Sequence, residues 1–245
     1  MYFGELSEQP FFTNSLPSVT TAKFGHHDSA HIDGQTYVLH QGADVSLAHL
    51  MSVMSRYSME LATHGSRVGF LAAIIAREIG QSAEEIDLVR RAGLLHDIGK
   101  VLVPWQIYAK PGELSASETE QMKQHPTDGE RLCASFSALS PLLPIIRHHH
   151  ERLDGTGYPD RLKGDQIPLG AQIVAVADYY DALTSDRFYR RAQSPRQASI
   201  VLSQACYGHL NSQLVEALLW GLESDKTETE SICFNPMVFE NEHIA

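Results

Sequence analysis

Six of the chain's 13 histidines fall between His64 and His150. The densest stretch is residues 148–159, His-His-His-Glu-Arg-Leu-Asp-Gly-Thr-Gly-Tyr-Pro, with His96-Asp97 upstream of it. Adjacent imidazoles crowd polar rings together, and Gly155, Gly157 and Pro159 then break the backbone, so this stretch is neither a core strand nor an ordinary helix. That composition builds a metal site beside a loop. Imidazoles mixed with carboxylates, and no thiolates, suit iron, manganese or zinc; they do not suit a Cys-rich structural zinc site or an all-oxygen calcium site.

Two further pairs say less when taken alone. Glu60 and His64 are four apart, so on a helix they share a face and can grip one ion or two adjacent ones, although this spacing more often marks a surface pair. His96-Asp97 directly follows Leu94-Leu95, which puts a polar pair near the core, where an unpaired charge is costly unless metal or a hydrogen-bond network compensates. The plain alternative is a hydrogen-bonded aspartate at a helix end. His26, His27, Asp28 and His31 also cluster, and a solvated loop is the simpler reading there.

The elements that must carry these residues read as helices. Val45, Leu47, Leu50, Val53, Met54 and Leu61 recur at helix-face spacing, and a second helix is predicted from about His64 to Ile79, closed by Gly80. Ser82 with Glu85 forms a capping box that opens a third helix running into His96-Asp97. Ser115 with Glu118 caps a fourth that leads to His125, where Pro126 interrupts it. Residues 167–183 form a buried helix presenting Asp178 and Asp181, and Ser194-Pro195 starts another. Strands are scarce, so the predicted fold class is all-α, a helical bundle with a short irregular or partly extended N-terminal segment. Its parts are a lead-in or small regulatory element at 1–43, a catalytic domain at 44–222 and an acidic, frayed tail at 223–245.

Composition narrows the partners. A formal net charge of −11 argues against nucleic-acid polymers and acidic membranes, where a basic footprint supplies most of the affinity. No apolar run approaches the roughly 20 residues that span a bilayer, and the N-terminus does not read as a signal peptide. Cys133, Cys206 and Cys233 have no zinc-like spacing, and their odd count argues against a full disulfide framework. The expected location is a reducing cytoplasm.

His64, His96-Asp97-Ile-Gly-Lys100, His125-Pro126, His149-His150-Glu151-Arg152-Leu-Asp154-Gly155-Thr-Gly157-Tyr158-Pro159 and Asp178-Tyr-Tyr-Asp181 through Arg187 and Arg190 stand in the order and approximate spacing of the HD-GYP domain. Over about residues 44–210 the chain thus resembles this bacterial branch of the HD phosphohydrolase superfamily. The resemblance implies an HD-type helical bundle holding two or three divalent ions, most often iron and alternatively manganese, that hydrolyses cyclic dinucleotides, chiefly cyclic di-GMP, to linear pGpG or GMP. Carried across, it implies metal ligands at His64, His96, Asp97, His125, His149, His150 and Asp178, with Glu60 as an added ligand for a third ion. So many ligands exceed the four that a single structural zinc needs. Gly65, Leu153 and Gln172 depart from the family pattern without removing a ligand. His148 is the extra ring of the triple run.

On this reading Asp97 bridges two ions that make a shared water the nucleophile, and Lys100, one turn beyond His96, reaches a phosphate or the departing oxygen. Arg187 and Arg190, which follow the substrate-binding candidate Asp181, meet the second phosphate, where a planar guanidinium binds two oxygens at once; Arg191 is as well placed by sequence as Arg190. Gly157, Tyr158 and Pro159 contribute to the substrate surface, Tyr158 by stacking on a base or by bracing the loop, and Asp154 orders that loop. Alternatives are a hydrolase of the hybrid cyclic GMP-AMP or another phosphoester, and a non-catalytic module that binds cyclic dinucleotide or a diguanylate cyclase. A homodimer is left open.

Overall fold

The computed structural model describes residues 21–24, 27–32, 35–39, 43–185 and 191–233, with side chains for 46–185 and 191–224. The chain divides into two compact units, residues 1–40 and 41–245. In the first, β1 (Thr21–Phe24), β2 (His27–Ile32) and β3 (Gln35–Leu39) form an antiparallel meander in the order β1-β2-β3. Within the segment expected to be irregular or partly extended, the described residues are extended, with Thr21 opposite Ala30 and Ser29 opposite Val38. Of the suspected N-terminal cluster, His26 lies outside the described residues, and only the backbone of His27, Asp28 and His31 is described.

The second unit is all helical among its described residues. It comprises α1 (Ala43–Tyr57), α2 (Met59–Glu78), α3 (Ala83–Leu95), α4 (Trp105–Tyr108), α5 (Ala116–Met122), α6 (His125–Cys133), α7 (Leu143–His148), α8 (Leu169–Thr184), α9 (Pro195–Ala205) and α10 (Ser212–Cys233). Short 3-10 helices cover Ile98–Leu102, Ser137–Leu142 and Gly164–Gln166. The capping boxes of α3 and α5 form as their sequences dictate, with Ser82 and Ser115 each exchanging hydrogen bonds with the glutamate three residues on. The break between the first two helices falls earlier than the apolar spacing suggested. Ser58 leaves helical geometry and accepts from the Leu61 amide at 3.2 Å, so α2 begins at Met59 and carries Glu60 and His64 together. Pro126 starts α6 where it was expected to interrupt a helix, because proline at a first turn removes an amide that had no partner there. At the other end, α10 continues beyond residue 222 to Cys233.

The centre of the bundle is α2, flanked by α1, α3, α8 and α10. Its contact with α3 is backbone against backbone. A Cβ on Gly65 would come 2.5 Å from the Leu94 carbonyl oxygen, and one on Gly93 would come 2.8 Å from Gly69 Cα. This explains glycine at position 65, and it holds His64 beside His96, their ring centroids 5.1 Å apart. Met54, Ile75, Leu95, Ile98, Ile146, Ile173 and Leu218 fill the core around this crossing. Gly99 lies against the His125 carbonyl and the Gly129 amide with no room for a side chain, which draws α6 onto the segment that follows α3. Among the described residues, no helix is long and apolar enough to cross a membrane.

Candidate metal centre

His96 closes α3, and Asp97 begins the 3-10 turn after it; both are essentially inaccessible to solvent. The two Asp97 carboxylate oxygens face opposite ways. Oδ1 lies 3.1 Å from His125 Nε2 and 3.9 Å from His149 Nε2. Oδ2 lies 3.4 Å from His64 Nε2 and 3.3 Å from His96 Nε2. Asp178, on α8, completes the second side with Oδ1 at 3.2 Å from His64 Nε2 and 4.0 Å from His96 Nε2. The donor atoms therefore converge in two adjoining groups, Asp97-His125-His149-His150 and His64-His96-Asp178.

Four of the five rings are aimed by their other nitrogen. Nδ1 of His96, His125 and His149 pairs with the carbonyl three residues earlier, at Gly93, Met122 and Ile146, at 2.8, 2.8 and 2.7 Å. A proton on that nitrogen leaves Nε2 free to face the centre, the arrangement in which imidazoles bind metal. His64 is aimed by a carboxylate, with Nδ1 at 2.8 Å from Asp181 Oδ2. Arg67 holds that carboxylate in turn, through Nε at 2.5 Å and Nη2 at 2.9 Å, and Ser185 donates to it at 3.1 Å. Asp181 was expected to meet substrate. Its oxygens are engaged by His64, Arg67 and Ser185, and it is 2% exposed, so it orients the His64 ring.

The electrostatics differ across the centre. Burial disfavours a charged His64, but hydrogen bonds with Asp178, Asp181 and Asp97 outweigh it and hold its pKa well above the usual value. Burial likewise opposes ionisation of Asp97 and Asp178, yet attraction from the His96 and Lys100 side chains for the first, and a hydrogen bond with His64 for the second, hold both carboxylates far below the usual range. On the other side, burial and the adjacent rings push His149 well down and His150 down to about 3. Lys100 donates to Asp97 Oδ2 at 2.6 Å, and that contact overcomes its burial to raise its pKa.

The centre fits divalent ions on its own evidence. His96 Nε2 and Asp97 Oδ1 are fully buried and make no hydrogen bond, which would leave two polar atoms desolvated for nothing unless an external group satisfies them. The donors are imidazole and carboxylate, a set suited to first-row transition metals.

Several expected site residues lie elsewhere. Glu60 shares α2 with His64 but is exposed and joins neither converging group. It stands one turn before His64, at the solvent-facing start of α2, and its part as a third-ion ligand stays an expectation. Arg187 and Arg190 lie outside the described residues, and Arg191 is exposed. Asp154 accepts from the Thr156 amide at 2.8 Å and hydroxyl at 2.7 Å, ordering the loop. His148 turns away from the centre and meets Asp160 at 2.9 Å.

The loop at 150–160 folds back on itself. Gly157 sits against the backbone of residues 150–152, where a side chain has no room, and the Tyr158 amide donates to the His150 carbonyl at 3.2 Å. Tyr158 stacks on the His150 ring at 4.9 Å, before a cis bond to Pro159. Glu151, buried, accepts from the Asp160 and Leu162 amides at 2.7 and 3.1 Å. Arg147 grips Asp160 with two nitrogens, at 2.7 and 2.9 Å, and Glu130 with a third at 2.6 Å. Sequence reasoning assigned no role to Arg67, Arg147 or Asp160. The one available signal was the spacing of Arg67, one turn beyond His64.

An all-helical bundle that buries a histidine-aspartate pair at the junction of two such groups is an HD domain. Residues 48–210 match the HD domain family, and the chain belongs to it, in the HD-GYP branch that its motifs define. It is 40% identical over 172 residues to the cyclic di-GMP phosphodiesterase response regulator RpfG of Xanthomonas campestris, covering 68% of this chain and 44% of that protein. It is 37% identical over 173 residues to 3'3'-cGAMP-specific phosphodiesterase 2 of Vibrio cholerae, covering 70% of this chain and 33% of that protein. The chain thus spans less than half the length of these relatives. Among solved structures, Bd1817, a HDG"Y"P protein from Bdellovibrio bacteriovorus, superimposes with a TM-score of 0.55 at 23% identity, covering 74% of this chain and 62% of that one. That likeness bears on the fold alone.

Proposed function

We propose that the chain is a metal-dependent phosphodiesterase that hydrolyses cyclic dinucleotides, cyclic di-GMP first among them, to linear pGpG or GMP. The observation that carries this reading is the two-sided Asp97 carboxylate, one oxygen toward each group of imidazoles. His64, His96 and Asp178 would hold one divalent ion, His125, His149 and His150 a second, and Asp97 both; iron is the first candidate and manganese the alternative. Bound there, two ions supply the Lewis acidity that activates water near neutral pH and offsets charge on the phosphoryl oxygens.

The protein's own groups do the rest. The carbonyls behind His96, His125 and His149, and Asp181 behind His64, fix ring orientation, so little reorganisation accompanies reaction. Lys100, anchored on Asp97, would place its ammonium within reach of a phosphate oxygen or the departing ribose oxygen. Tyr158 and Pro159 offer a flat surface beside His150, and Gly157 lets that loop lie close to the centre. Arg187 and Arg190 remain proposed contacts to the second phosphate. The proposal places the protein in the cytoplasm, where such nucleotides occur, and leaves a diguanylate cyclase partner and a homodimer as further expectations.

A second reading, hydrolysis of the hybrid cyclic GMP-AMP, is favoured by the 37% identity to the Vibrio cholerae phosphodiesterase named for that substrate. A binding-only module is disfavoured because seven ligand side chains remain and converge. The test is anaerobic purification, a metal inventory, and chromatography of products after incubation with each dinucleotide. About two equivalents of iron or manganese with cleavage of one dinucleotide is the expected result; metal-replete protein that cleaves neither would end the proposal.

A further inference from the structure

A cyclic dinucleotide has two purine bases, and the centre itself provides for the phosphates. Tyr158 gives one aromatic surface near His150. A second follows Lys100 along the chain. The turn carrying Lys100 runs through Val103 into α4, and there Tyr57, Trp105 and Tyr108 pack together. Tyr57 meets Trp105 edge-on with centroids 5.5 Å apart, and Trp105 meets Tyr108 at 5.5 Å with planes tilted 38°.

The two tyrosines are pinned. Tyr57 donates to the Val103 carbonyl at 2.8 Å and Tyr108 to Ser58 Oγ at 3.1 Å, the capping residue of the helix that carries His64. The indole is left 51% exposed. A cluster built only to pack α4 would bury its largest ring and leave the smaller hydroxylated rings to solvent; here the order is reversed. The cluster is also next to the chemistry, since Tyr108 lies within electrostatic range of Lys100, Glu60 and Asp97.

We propose that Trp105, backed by Tyr57 and Tyr108, is the stacking platform for one purine base of a cyclic dinucleotide whose phosphate meets Lys100. The assignment rests on the function proposed above. An exposed π face offers the sequence-tolerant stacking that bases seek, and a rigid backing keeps the ring in place without loss of side-chain freedom on binding.

The test is steady-state kinetics of the metal-loaded protein with cyclic di-GMP, comparing Trp105→Leu and Trp105→Phe with the unmodified chain. Leucine keeps apolar packing and removes the aromatic face; phenylalanine keeps both. The expected result is a rise in KM of roughly 5- to 150-fold for Trp105→Leu, larger than any change in kcat, with most of the affinity restored in Trp105→Phe. Equal KM values for Trp105→Leu and the unmodified protein would overturn the platform while leaving the phosphodiesterase reading intact. Absence of hydrolysis by the unmodified protein would overturn both. As a direct readout, Trp220→Phe leaves Trp105 as the sole tryptophan, and its fluorescence should be quenched saturably by the dinucleotide; no quenching while hydrolysis proceeds also refutes the platform.

Discussion

His64, His96 and Asp178 sit among carboxylates, whereas His125, His149 and His150 share a single carboxylate oxygen of Asp97. The first side compensates charge with charge. Hydrogen bonds from His64 to Asp178, Asp181 and Asp97 favour its charged form, while His96 Nε2 is left without a hydrogen bond. On the second side, burial and the neighbouring rings disfavour the charged forms of His149 and His150. That side is therefore ready to accept a cation without losing a proton, while the first must release one from His64 before that nitrogen can become a ligand. Asp97 is the one residue on which both depend.

Asp97→Ala breaks both sides together. Turnover should fall at least about a thousandfold, with metal content lost from both groups and helical circular dichroism retained; turnover near the unmodified rate would remove the shared role. Next come the single-sided changes. His64→Ala and His125→Ala should each lower the metal inventory by about one equivalent, and a loss of both ions from either variant would show that the two groups fill as one unit.

Asp181→Asn acts one step removed, by loosening the His64 ring. Metal affinity on the first side should weaken by about 10- to 100-fold while the second side is unaffected, measured by competitive chelation. The pH dependence of the metal-free protein sharpens the contrast further. His64 has a folded pKa above its unfolded value of about 6.5, so its stabilisation is complete below that pH and disappears as pH rises through the folded value. His149 and His150 have lowered folded values, so the unfolded chain takes up protons first and stability is lost as pH falls from about 6.5. Thermal melts of metal-free His64→Gln should flatten the alkaline limb, and those of His150→Gln the acid limb. The smallest effect is expected from Glu60→Ala, which should leave a two-ion inventory unchanged; loss of an ion there would return Glu60 to the centre.

Much of this was legible along the chain because it depends on near neighbours. The capping boxes at Ser82 and Ser115 need only a residue three positions on, and the order His96-Asp97, His125, His149-His150, Asp178 needs only the linear pattern. The reading faltered where direction mattered. Glu60 and Asp181 both stand at plausible spacing, yet one side chain turns to solvent and the other backs a ring from 117 residues away. The start of α2 also moved, since the Ser58 side chain outweighed the continuity of the apolar stripe.

The sequence alone determined the helices, their caps and which residue types were available as donors, because periodicity and capping are local. Only the tertiary structure decided that the Asp97 oxygens point to different groups, that Arg67 and Asp181 steer His64, and that Trp105 stays half exposed against Tyr57 and Tyr108. Those outcomes depend on how closely α2, α3, α6 and α8 approach. Glycines such as Gly65 and Gly99 permit those approaches, but the partners that meet there come from distant parts of the chain.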